Sequence, residues 1–101
     1  MDPKVLAEKF WRAVLKALFD RARKGFPLIT EWILSYEGQH TDEIVLGLVK
    51  LSGGGGIVAA APSGMKDVVV RKLKEYAAGA RPAVRIGLTM LLKIVPKLMD
   101  D

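Results

Sequence analysis

The chain has no cysteine, one histidine, and only seven aromatic residues in 101. Without cysteine there are no disulfides, no thiolate chemistry and no cysteine-based zinc site, and the redox compartment stays open. Long apolar runs are missing too. The longest uncharged stretch, Leu51 to Met65, contains four glycines and Pro62, so no transmembrane segment is expected. Glu8, Lys9, Arg12 and Lys16 interrupt the N-terminal residues, which excludes a signal peptide. The chain therefore reads as soluble, and as cytoplasmic if natural. It contains no HExxH and no paired Glu-xx-His. Glu31 and Glu37 lie six apart, on different helix faces, and suggest no acid–base dyad. No catalytic, cofactor-binding or metal-ligating residue is assigned, and no cofactor is expected. The reading favours binding or scaffolding over catalysis.

Half of the residues are hydrophobic and the net charge is +5. The length suits one domain with a real core. The charge is segregated. Residues 1–24 carry seven basic and three acidic side chains, residues 25–63 one basic and four acidic, and residues 64–101 eight basic and four acidic. Either the acidic middle neutralises the basic ends within the fold, or the ends meet an anionic partner.

Five helices are predicted. The first runs from about Pro3 to Lys24, with Asp2 as N-cap and Pro3 at the first helical position. Leu6, Phe10, Ala13, Val14, Ala17 and Leu18 make one buried face, which Trp11, Leu15, Phe19 and Ala22 widen. Gly25 and Pro27 end it. A short second helix fits Pro27 to about Glu37, stopped by Gly38. Thr41 reads as the N-cap of a third, Asp42 to about Leu51, in which Gly47 marks a close helix approach. Ser63 is a candidate cap for a fourth helix, Gly64 to Ala78, and Pro82 opens a fifth that reaches at least Val95. The expected fold is all-α: residues 1–101 form one compact bundle of about five helices, and residues 53–63 form the Gly-rich connection between the third and fourth.

That connection, "GGGGIVAAAPS", with Gly64 after it, does not match a phosphate-binding loop. Met65 stands where the lysine belongs and Ala59 where the first glycine belongs. Four glycines in a chain that otherwise caps its helices economically resemble the inserted joint of an artificial or de novo designed chain. Gly47, Gly87 and the helical run Val68-Val69-Val70 suit a natural sequence better.

His40, near Asp42 and Glu43, reads as part of a solvated turn. Trp11 and Trp32 read first as core aromatics and second as candidate ligand-stacking residues. The clearest pattern lies in the fifth helix. Arg81, Arg85, Thr89, Lys93 and Lys97 recur every four residues among apolar neighbours. Arg81, Arg85, Lys93 and Lys97 make a candidate anion-contacting ridge, with Arg71, Lys72 and Lys74 adding charge on the fourth helix. The wide apolar arcs of the first, third and fifth helices predict self-association, a homo-oligomer, through those helices. The expected function is a non-enzymatic scaffold or protein-association module. The alternatives are a basic protein that binds nucleic acid or an anionic membrane surface, and a small-molecule binder or enzyme with its site in the bundle core.

Overall fold

Asp2 caps the first helix as its position predicts: its carboxylate accepts the Lys4 amide at 2.9 Å. The computed structural model describes residues 2–52 and 65–95. Within them lie four α-helices and no strand: α1 (Pro3–Gly25), α2 (Thr30–Leu51), α3 (Met65–Gly79) and α4 (Pro82–Ile94). A 3-10 turn, Pro27–Ile29, joins α1 to α2. The Gly53–Gly56 run, Ser63 and Lys97 lie outside the described residues.

The expected second and third helices are one. Gly38 does not stop α2, and Thr41 does not cap a new helix. The Thr41 hydroxyl donates to the Glu37 carbonyl at 2.6 Å, a back-bond inside a continuous helix. A helical glycine costs only about 1 kcal/mol. Burial of Ile33, Tyr36, Ile44, Val45 and Leu48 on one side of α2 outweighs that. The fifth predicted helix, here α4, stops at Ile94, because the residue before Pro96 is disfavoured in helical conformation.

α1 and α2 lie antiparallel. Two ion pairs mark their register, Arg12 to Asp42 at 2.7 Å and Arg23 to Glu37 at 2.6 Å. The buried face of α1 is rotated from the predicted one. Ala7, Trp11, Val14, Leu15, Leu18, Phe19 and Ala22 are buried, whereas Leu6 and Ala13 are exposed. The wider arc therefore contains the true seam. The Trp11 indole N–H donates to the Ser52 hydroxyl at 3.2 Å, which donates in turn to the Leu48 carbonyl at 2.7 Å. That chain ties the middle of α1 to the end of α2.

Two tyrosines hold the remaining helices. The ring of Tyr76 on α3 lies over Gly47 of α2, and the ring of Tyr36 on α2 lies over Gly87 of α4. A Cβ at either glycine would overlap the ring. The Tyr36 hydroxyl also donates to the Val84 carbonyl at 2.5 Å.

These environments separate three helical glycines. Gly38 has open space where a Cβ would sit, so Gly38→Ala should stabilise the fold by about 1 kcal/mol. Gly87→Ala should destabilise it by about 1–3 kcal/mol, because Tyr36 is buried and anchored. Gly47→Ala should cost less, since Tyr76 is half-buried and can swing outward. Thermal unfolding of the three variants checks this order, and a destabilised Gly38→Ala would contradict the account of α2.

Candidate functional site

α2 carries the acidic middle of the chain, and its carboxylates are largely spent inside the fold. Asp42 pairs with Arg12, Glu37 with Arg23, and Glu43 with Arg81. The last contact is bidentate, with Arg81 Nε and Nη2 at 2.9 and 2.8 Å from the two carboxylate oxygens. Two of these pairs take arginines from the N-terminal basic segment and one from the C-terminal segment. Neutralisation within the fold is thus part of the charge layout. Arg23 also bonds Asp20, which Lys16 approaches at 3.2 Å.

Arg81 belongs to an intramolecular pair. Arg85 Nη1 donates to the Ala80 carbonyl at 3.2 Å and meets no carboxylate among the described residues. Lys93 and Lys74 are likewise without a carboxylate partner there, and Lys97 lies outside the described residues. Arg85, Thr89 and Lys93 form one row along α4, flanked by hollows on both sides. On one side a groove of about 470 Å3 is walled by Lys74, Ala77 and Ala78 of α3 and by Arg85, Thr89, Leu92 and Lys93 of α4. On the other, a hollow of about 450 Å3 adds Ile86 and Met90.

The two tryptophans have opposite fates. Trp11 is fully enclosed and packs in a T-shaped pair with Phe10 at 5.2 Å between ring centres. Trp32 is 41% exposed and stacks on Tyr36 at 5.2 Å. It lines a crevice of about 290 Å3 between α2 and α4, with Ser35, Gln39 and His40 on one wall and Pro82, Ala83 and Ile86 on the other. No Asp, Glu, Lys or Arg lines this crevice.

His40 is not in a solvated turn. It sits inside α2, 8% exposed, edge-on to Tyr36 at 4.7 Å. Its Nδ1 is buried and finds no hydrogen-bond partner among the described residues. The expected turn at Gly38–Thr41 is helical. On a continuous α2, Tyr36 and His40 fall one turn apart and share the buried face.

Burial pushes the Tyr36 phenol well above its ordinary range, and the nearby Tyr76 adds to this. The Arg81 hydrogen bond holds Glu43 below the usual carboxylate range. Among the described residues no group of three His, Cys, Asp or Glu side chains is arranged to hold a metal, and no helix is long and apolar enough to cross a membrane. No protein-family model, no curated protein and no solved structure matches this chain.

The Glu43–Arg81 pair has a defined acid limb. Because the folded-state value of Glu43 is lowered, its stabilisation is present above the unfolded glutamate value, about pH 4.3, and is lost as pH falls through the folded value. Both side chains are partly solvated, so the effect is small. Glu43→Gln should lower Tm slightly at neutral pH, and the gap from the native protein should narrow as pH falls below the ordinary glutamate range and through the lowered folded value. A gap of constant size down to strongly acidic pH would show that the carboxylate charge contributes nothing.

Proposed function

We propose that the protein is a non-enzymatic helical scaffold that works by association, and that its first partner is a second copy of itself. The supporting observation is the apolar strip at the α2–α4 edge. Leu28 is fully exposed, Trp32 follows it four residues later, and Ile86, 68% exposed, stands across the crevice. A crevice wall without charged side chains, bearing a tryptophan, has the composition of an interface centre. A two-fold axis through such a strip would bring like onto like, the commonest closed arrangement.

The strip lies on the 3-10 turn before α2, on the first turn of α2 and on α4. The first helix and the later half of α2, which the sequence also marks for association, contribute mainly to the core, through Trp11, Leu15 and Phe19 and through Ile44, Val45 and Leu48. A nucleic-acid or anionic-lipid partner for the ridge has weaker support. Of its four members Arg81 is neutralised by Glu43, and only Arg85 and Lys93 remain among the described residues. A ligand stacked on Trp11 has weaker support still, since that ring is closed in.

The expected solution behaviour follows. In sedimentation or light scattering the native chain should exceed its 11.0 kDa monomer mass as concentration rises. Leu28→Glu combined with Ile86→Glu should hold it at the monomer mass with little change in Tm, since both side chains are solvent-facing. A native chain that stays monomeric at millimolar concentration would refute self-association through this strip.

A further inference from the structure

We infer that the groove between α3 and α4 is a docking site for an acidic amphipathic helix of a partner protein. It is separate from the Leu28–Trp32–Ile86 strip and does not depend on self-association.

The groove has the shape of a helix-sized trough. α3 and α4 form an antiparallel helical hairpin turned within Ala80 and Arg81. At their junction the side chains are small: Ala77 and Ala78 on one wall, Thr89 on the other. Small residues facing one another leave a trough of about 470 Å3 where longer ones would fill the seam. A trough walled by two helices accepts a third, whose ridge of side chains enters the depression. A flat lipid surface would bridge its rims and leave the apolar floor unfilled.

The trough is also cationic. Lys74, Arg85 and Lys93 stand around this trough with no carboxylate partner among the described residues, whereas Lys72 and Arg81 of the same two helices have one. Lys72 reaches Glu75 at 3.2 Å, and Arg81 holds both oxygens of Glu43. The carboxylates of α2 that could have served are engaged with Arg12, Arg23 and Arg81. The trough is therefore left cationic among the described residues.

The spacing of these cations suits a helix. Arg85 and Lys93 lie eight residues apart, about 12 Å along the helix axis, and Lys74 approaches from the opposite wall. A single carboxylate or phosphate head group does not span such a distance. Carboxylates repeated at intervals of two turns along one helix do, with the apolar face between them resting on Ala78 and Leu92. The charges then guide register and encounter, while burial of the small-residue floor supplies the contact area.

The probe is a synthetic helical peptide of about five turns, with a Leu/Ala stripe flanked by glutamates at two-turn spacing and a single fluorophore. A control peptide carries glutamine at each glutamate. The native protein should bind the acidic peptide in the micromolar range and the control about tenfold more weakly or less, and binding should fall between about 50 mM and 500 mM salt as screening shortens. The triple variant Lys74→Gln, Arg85→Gln, Lys93→Gln should lose about tenfold in affinity while keeping its circular dichroism spectrum. Ala78→Trp, which fills the trough without altering charge, should abolish binding. Equal affinity for both peptides, undiminished binding by the triple variant, or charge-dependent binding to phosphatidylglycerol vesicles or duplex DNA without binding to the peptide would each overturn the proposal. The Leu28→Glu, Ile86→Glu variant should still bind the peptide, so loss of self-association and loss of groove binding are told apart.

Discussion

The arrangement of this bundle depends on one side chain, Tyr36. Its ring is stacked by Trp32 and met edge-on by Phe19 and His40. It presses on the backbone of α4 at Gly87, and its hydroxyl bonds the Val84 carbonyl. Burying a phenol without a partner costs several kcal/mol, so the hydroxyl fixes where α4 must lie, and the absence of a Cβ at Gly87 fixes how near. Contacts with both α1 and α4 meet at this ring, which makes α2 the reference element of the fold.

The surface features follow from that placement. With α4 held against α2, Arg81 reaches Glu43 and is neutralised, while Arg85, Thr89 and Lys93 turn toward α3 and solvent. The Trp32 crevice is the outer margin of the same α2–α4 contact, and the trough beside Lys74 is the α3–α4 seam. Both candidate surfaces are therefore edges of one helix, apolar toward α2 and cationic toward α3. Rotation of α4 about its axis by one residue would bring Arg85 to the place of Ile86 and spoil both.

The all-α class, the start and end of α1 and the start of α4 were legible in the sequence, because proline and glycine act locally and strongly. The continuity of α2 was not. Gly38 and Thr41 carry the local signals of a break, and what overrides them is burial against α1, which no local window contains. Gly47 could be read as a close approach, but its partner Tyr76 is on another helix. Gly87 gave no such signal, since Tyr36 lies far along the chain. The four-residue period of the ridge was plain, yet the division between a paired Arg81 and an unpartnered Arg85 and Lys93 rests on Glu43, and so on tertiary placement. The two tryptophans read alike in sequence. One closes the core and the other borders a crevice, because α1 is covered on that side and the beginning of α2 is not.

The central claim is that the Tyr36 phenol is buried and bonded wherever the fold exists. With Tyr76→Phe, Tyr36 becomes the only tyrosine, and ultraviolet absorbance reports its ionisation alone. Burial raises its folded-state value, so the neutral phenol contributes stability below the unfolded value, about pH 10, that is lost as pH rises toward the folded one. The account predicts no phenolate absorbance while the helical circular dichroism signal persists, then both changes together in one alkaline unfolding transition. Reversible ionisation near pH 10 with the helical signal intact would contradict it.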